Sequence, residues 1–442
     1  MYPRHKWLRC VSLVAALAAA HWACAQAPPL GARTGGALVG DMDLDQIYLT
    51  RDLNGDGDAD DPGEAWVFFD ANNASGLPSP TNAVYTIFQA ADGYVYYGDG
   101  GSHAVYRLRD LNCDGDAQDA GEASVWFSEA ENYYGFIVTN PNGLCQDETG
   151  ATYVLHVGTT SLPDAIFRTV DLNGDGDAND ENEATLWMDT QNLITSSSAF
   201  SLVFIGTTAY LADLVGGDPD AIFRAEDLDG SGTIDAGEFN IFIDETNPYG
   251  VQIGTGLVTD GVSLFISESL AGVNPQKVFQ LTDLNGSGTI DSAAEVVEVW
   301  NETHVPPGYE LGSSYALTIG PGGELLVAST GTDIRDNVFR LVHLDSDVDF
   351  FDPGETIAWT SAHGGAFVEY ARSLEYLVLV GDVNCDGFID FDDINPFVLA
   401  LADPDAYAVQ FPDCRLLNAD CDFDGAVTFD DINAFVALLS GG

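Results

Sequence analysis

The sequence predicts an all-β fold: a six-bladed β-propeller of four-stranded blades over residues 36–380, followed by a small α-helical module over 381–442. Three observations predict it. A short acidic motif recurs six times, starting at 52, 110, 171, 227, 283 and 343, so neighbouring copies stand 56 to 61 residues apart. The same pair of apolar runs flanks each copy. The strand count is uneven at the two ends in the way a closed ring requires.

The N-terminus comes first. Arg4, His5, Lys6 and Arg9 form a basic head, and "VSLVAALAAA" (11–20) is an apolar run too short to span a bilayer. Ala23-Cys24-Ala25 supplies a small-residue cleavage site. Residues 1–25 therefore read as a secretory signal, and the mature chain as secreted, extracellular or held at the cell surface, with no membrane insertion once the signal is removed. Export implies an oxidising compartment. The mature cysteines are Cys113, Cys145, Cys385, Cys414 and Cys421, an odd number. A bridge is expected among the last three, without a choice of pair, and Cys113–Cys145 is a further candidate.

Charge narrows the partners. Seventy acidic residues against fourteen basic ones give −56, and Lys6 and Lys277 are the only lysines. Such a surface repels nucleic acid and anionic membranes and attracts cations. Adaptation to a salty medium would spread acid evenly. Here it clusters at fixed spacings.

Each repeat holds four short strands. Before the motif stand "VYRLR" (105–109), "IFRTV" (166–170), "IFRAE" (222–226), "VFQLT" (278–282) and "VFRLV" (338–342). After it stand "ASVWF", "ATLWM", "FNIFI", "VVEVW" and "TIAWT". Aromatic and β-branched runs bounded by Gly and Asp are strands. Two more runs precede these, such as "AVYTIFQA" and "YVYYGD" around Asp92-Gly93, or "YALTIG" and "ELLVAST" around Pro321-Gly322-Gly323. The first unit begins with three strands, from "ALVGD" at Ala37, and "RSLEYLVLV" (372–380) is left over at the end. A ring closes when that last strand completes the first blade. A seven-bladed propeller and a stacked solenoid are the competing folds. The run "GELLVAST…NVFRL" resembles the NHL and gluconolactonase-like propellers.

The acidic motif falls between the third and fourth strands, so all six copies belong on one face. It follows the calcium-loop pattern of oxygen ligands at positions 1, 3, 5, 7, 9 and 12, with Gly at 6. The fourth copy fits throughout: Asp227, Asp229, Ser231, the Thr233 carbonyl, Asp235 and Glu238. The first three place their glutamate one residue late. Their candidate ligands are Asp52, Asn54, Asp56, Asp58, Asp60 and Glu64; Asp110, Asn112, Asp114, Asp116 and Glu122; and Asp171, Asn173, Asp175, Asp177 and Glu183. The fifth offers Asp283, Asn285, Ser287, Thr289, Asp291 and Glu295, the last again late. The sixth has His343 and Val348 in place of Asp and Gly and is expected to bind poorly. Asp, Asn and Gly also make good turns, but turn-making does not require five ordered positions repeated around a ring. Strand flanks make these loops similar to the D-x-D-x-D-G hairpins of FG-GAP blades in integrin α-chains.

The last sixty residues change character. "GDVNCDGFIDFDDINPFVLAL" (381–401) and "ADCDFDGAVTFDDINAFVALL" (419–439) are two copies of one loop-helix segment. Candidate ligands are Asp382, Asn384, Asp386, the Phe388 carbonyl, Asp390 and Asp393, then Asp420, Asp422, Asp424, the Ala426 carbonyl, Thr428 and Asp431. Apolar residues at helical spacing follow each loop. This duplicated segment resembles a type I dockerin, closest to the "GC-type" form. The resemblance implies a calcium-folded module that binds a cohesin-like or cell-surface scaffold through residues just after each loop, here Asn395-Pro396 and Asn433-Ala434. The Ser-Thr pair of cellulosome dockerins does not stand there. A plain calcium-stabilised cap is the competing reading.

No catalytic constellation stands out. The mature histidines form no metal-binding spacing, and no G-x-S-x-G is present. Arg107, Arg168, Arg224 and Arg340 each precede a loop by three residues and read as neutralising its carboxylates. The expected function is thus an exported calcium-binding propeller for binding or display, with a glycan as candidate ligand. The alternative is a propeller hydrolase or lyase acting on polysaccharide, sugar or lactone, which would place carboxylates or amides on the innermost strands.

Overall fold

The structure is a computed structural model that describes residues 36–442 except 55, 79–83, 91–92, 112–114, 159–163, 195–196, 215–218, 269–275, 321–322, 331–335, 345–346, 362–370, 378–379, 385–388, 390, 412–413, 415, 422–425 and 440–442. The signal reading of residues 1–25 lies outside the described residues. Six four-stranded antiparallel sheets form the propeller. Their innermost strands are Ala371–Tyr376, Val84–Gln89, Pro141–Gln146, Ala199–Ile205, Leu257–Thr259 and Ser313–Ile319, for blades one to six.

Closure is as expected from the uneven ends. Ala371–Tyr376 pairs antiparallel with Ala37–Asp41, so the end of the propeller chain supplies the inner strand of its first blade. The strands alternate apolar residues between two buried faces. Six hydrophobic clusters result, each between two successive sheets. One of them joins Val39 and Tyr48 of blade one to Leu326, Val338 and Trp359 of blade six. The ring is thus sealed both by strand exchange and by packing.

Residues 381–442 carry helices at Ile394–Ala402, Pro404–Gln410 and Asp431–Leu439. The two sequence copies meet at Phe397 and Phe435, whose rings stack with centroids 3.9 Å apart. Val383, Ala400, Tyr407 and Ala419 complete a small core. Cys414 is disulfide-bonded. Cys145 is a buried, unbridged thiol, so a Cys113–Cys145 pair does not form. Among the described residues, no helix is long and apolar enough to cross a membrane.

Candidate metal centres in the acidic loops

Each acidic loop joins the third strand of its blade to the outermost one. Gln46–Thr50 leads into the first loop and Ala65–Phe69 follows it, and the other five repeat this arrangement. The loops therefore share one face. Three devices shape them.

The first device is a clamp. In loop one, Glu64 Oε1 accepts from the amides of Leu53 at 2.8 Å and Asn54 at 3.1 Å, and Oε2 from Asp61 at 3.2 Å. Glu238 repeats this with Leu228, Asp229 and Asp235, and Glu183 with Leu172, Asn173 and Asp180. Glu122 and Glu295 hold their loops in the same way. So does Glu355 of loop six, which the sequence reading left out of the site. All six glutamates are buried. Backbone amides, that of Asp291 first, hold the Glu295 carboxyl below the usual range.

The second device is a staple to the preceding blade. The eighth residue of every loop donates its amide to an outermost-strand carbonyl one blade back: Ala59 to Trp359, Ala117 to Phe68, Ala178 to Trp126, Ile234 to Trp187, Ile290 to Phe242 and Phe350 to Val299, at 2.7 or 2.8 Å. These six side chains are buried. Clamp and staple together fix the ends and the middle of each loop.

The third device is the acidic head. In loops one to five the first aspartate's Oδ2 accepts from the amide of the sixth residue, a glycine, at 2.7–2.9 Å. Those glycines, 57, 115, 176, 232 and 288, all have positive φ, between 77° and 106°, which other residues rarely adopt. Position three then caps the turn: Asn54, Asn173, Asp229 and Asn285 each accept from the residue two ahead at 2.8 or 2.9 Å. In loop four, ligand oxygens of Asp227, Asp229 and Glu238 converge to within 4.8 Å of one another. In loop one, burial pushes the Asp58 carboxyl up, and the negative charges of Asp56, Glu64 and Asp61 add to it.

The late glutamates are explained by where the extra residue goes. In loop four the tight turn before the glutamate spans Asp235–Glu238; in loop one it spans Asp61–Glu64. The added residue is the ninth, and its side chain reaches the preceding blade. Asp60 Oδ1 accepts from the Ser361 amide at 2.9 Å, Gln118 donates to Asp70 at 3.0 Å, and Asn179 accepts from Ser128 at 3.1 Å. Asp60 thus faces blade six. Two neighbouring carboxylates lie inside their loops instead: Asp61 and Asp180 accept from Asn54 at 2.6 Å and Asn173 at 2.7 Å. In loop five the ninth residue, Asp291, stays inside and accepts from Asn285 at 2.9 Å. Ser287 and Ser231 each donate to the carbonyl of the following threonine, Thr289 and Thr233. Asn112 and Asp114 lie outside the described residues.

Loop six serves as an internal comparison. His343 stacks on Phe350 with ring centroids 4.2 Å apart, and Val348 is exposed. The clamp and staple persist although the first aspartate and the sixth-position glycine are replaced. Of the arginines before the loops, Arg224 pairs with Glu226, the residue next to loop four, at 2.5 Å. Arg340 reaches the Gly57 carbonyl of the next loop around the ring, at 3.4 Å, over the Trp359 ring.

No protein-family model matches the chain, and no curated protein matches it. Solved structures do. A catalytically inactive virginiamycin B lyase from Staphylococcus aureus is 14% identical, with 74% of this chain and 85% of that chain covered and a TM-score of 0.40. A gluconolactonase from Xanthomonas campestris is 14% identical over 68% and 85%, with a TM-score of 0.40. The calcium-binding protein regucalcin from Agrobacterium tumefaciens is 10% identical over 61% and 74%, with a TM-score of 0.38. At these identities and scores the likeness says nothing about activity. The propeller is established by its own sheet order.

In the C-terminal module the first and twelfth positions of both loops, Asp382, Asp393, Asp420 and Asp431, are fully or almost fully buried. Asp393 Oδ1 accepts from Val383 and Asn384 at 2.7 and 3.0 Å, the same clamp as in the blades. Asp431 accepts from Thr428 at 2.7 Å. Asp386, Phe388, Asp390, Asp422 and Asp424 lie outside the described residues. Asn395 and Asn433 are exposed, Pro396 is buried and Ala434 half-buried.

Proposed function

We propose that this chain is an exported calcium-binding propeller, displayed through a dockerin-like C-terminal module. The observation that carries the calcium reading is the convergence of Asp227, Asp229 and Glu238 in loop four. Loop six supports it by contrast. It keeps the clamp and staple but has His343 and Val348 where loops one to five have the first aspartate and the glycine that it caps. A hard cation served by six to eight oxygens fits carboxylates, amide oxygens and carbonyls in this order. Calcium titration of the mature chain should be saturable, and Asp227→Asn with Asp229→Asn should lower the stoichiometry by one. A flat titration would sink the reading.

Attachment is supported by duplication at the surface. Phe391, Ile394 and Val398 are exposed beside Asn395, and Phe429, Ile432 and Val436 repeat them beside Asn433, with nearly equal exposures. Two matched apolar faces suit a protein partner of the cohesin or scaffold class. Cell fractionation of the full chain against one ending at Val380 tests this; equal release into the medium removes it. Hydrolase or lyase activity on glycans and lactones is the alternative, tested directly by turnover.

A further inference from the structure

Trp66 and Asn240 hold the same position in two blades and act outside their own blade. Each is the second residue of an outermost strand, Ala65–Phe69 or Phe239–Asp244, and stands two residues past a clamp glutamate, Glu64 or Glu238. Each donates to the sixth-residue carbonyl of the acidic loop in the next blade. Trp66 Nε1 reaches Gly115 of loop two at 2.8 Å, and Asn240 Nδ2 reaches Gly288 of loop five at 3.2 Å. The same Asn240 nitrogen also donates to the Ile241 carbonyl at 3.1 Å.

A trans peptide plane points its carbonyl and its amide in opposite directions. In loop five the plane in question joins Gly288 to Thr289. Its carbonyl faces Asn240, outside the loop. Its amide, that of Thr289, points back into the loop and donates to Ser287 Oγ at 3.2 Å, and Ser287 Oγ donates to the Thr289 carbonyl at 2.9 Å. On the other side, the Gly288 amide is held by Asp283 Oδ2 at 2.7 Å. Holding the Gly288 carbonyl therefore helps to aim two candidate ligand oxygens, Ser287 Oγ and the Thr289 carbonyl. In loop two the Gly115 amide is likewise held by Asp110 Oδ2 at 2.9 Å while Trp66 takes the carbonyl. Partners that aim ligand oxygens raise affinity, because the ion need not order them.

The fold does not require a donor at this position. Blades five and six carry Val297 and Ile357 there, whose side chains have no hydrogen to give. Val297 precedes loop six, the loop without the first aspartate. Ile357 precedes loop one, and there Arg340 Nη1 takes over, reaching the Gly57 carbonyl at 3.4 Å. A donor thus accompanies the acidic head in loops one, two and five.

We propose that Trp66 and Asn240 are positioning residues that raise the calcium affinity of loops two and five, each acting across a blade seam on the loop of its neighbour. This rests on the calcium reading of those loops.

The test is calorimetric calcium titration of the full mature chain as parent, Asn240→Ala, Asp283→Asn and the double variant. Asn240 is exposed, so its variant should fold. Asp283→Asn should lower the stoichiometry by one. Asn240→Ala should keep the stoichiometry and weaken one site by about two- to ten-fold, the worth of one hydrogen bond. In the Asp283→Asn background it should change nothing further, an outcome that a merely structural role in blade four would not produce. Trp66→Phe keeps an aromatic ring without the N–H; it should weaken one site by a similar factor, and Asp110→Asn should remove that effect. If Asp283→Asn leaves the stoichiometry unchanged, loop five holds no ion and the role of Asn240 falls with the calcium reading. If the stoichiometry drops but Asn240→Ala leaves every affinity at its parent value, or its effect survives in Asp283→Asn, the positioning role alone is overturned. Trp66→Phe is judged against Asp110→Asn in the same way.

Discussion

The amide of Ala59 donates to the carbonyl of Trp359 at 2.7 Å, joining the first acidic loop to the outermost strand of the last blade. The same bond links every other pair of neighbouring blades. The acidic loops are therefore inter-blade connectors as well as candidate metal sites, and any ion held in one would stiffen a seam of the ring.

Ala59→Pro removes that amide and leaves the Trp359 carbonyl unpaired at the closing seam. The cost should be about 1–3 kcal/mol, seen as a fall of a few degrees in the thermal midpoint. Ala59→Gly keeps the amide and should cost less. Equal midpoints for Ala59→Pro and the parent would show that the staple contributes nothing.

Clamp and metal functions separate in a paired comparison. Glu355→Ala and Glu238→Ala each release backbone amides from a buried carboxylate, so in EDTA both should destabilise by about 1–3 kcal/mol. In saturating calcium Glu238→Ala should lose more, because a site at a hundred times its dissociation constant contributes about 2.7 kcal/mol. Thermal unfolding with and without calcium measures the difference. If the two variants behave alike in calcium, loop four is a clamp only.

Two buried groups set opposing pH dependences. Burial pushes the Glu268 carboxyl up to about 7, with Glu298 adding to it and Lys277 opposing. Its folded value lies above its unfolded one, so the native state holds the extra proton. Stability from this group is full below the unfolded value near 4.5 and declines as pH rises towards 7. Burial pushes His156 down to about 4, so its contribution runs the other way and is lost as pH falls from about 6.5 to 4. The two partly cancel in the parent. Glu268→Gln should expose the His156 slope and raise stability at pH 8 by about 2–3 kcal/mol. No gain at pH 8 would mean that Glu268 is ionised without strain.

Much of this was legible in the sequence because repetition multiplies weak signals. One "DLNGDG" is a turn; six at a constant period, each between apolar runs, define blades, and the leftover strand at 372–380 announces closure. The convergence of Asp227, Asp229 and Glu238 matches an order written in the sequence, where each position of the pattern has its own chemistry. The clamp was not legible, since a glutamate that binds metal and one that binds amides look alike in a sequence. The staple left a signal that went unread: position eight is Ala, Ala, Ala, Ile, Ile and Phe, apolar amid acid.

The ninth position decides how the expanded loops relate to the twelve-residue one. Sequence alone makes Asp60 a ligand; in the fold it accepts from Ser361 of blade six, and burial raises its pKa. Deleting Asp60 would bring Glu64 to position twelve while keeping Asp52, Asn54, Asp56, Asp61 and the Ala59 staple. The shortened loop one should then match loop four, whose turn follows the eighth residue directly. Calcium stoichiometry should stay the same, while stability falls by about 1–3 kcal/mol for the lost bonds to blade six. Should the stoichiometry fall by one instead, Asp60 belongs to the ion after all and its contact with Ser361 yields on binding.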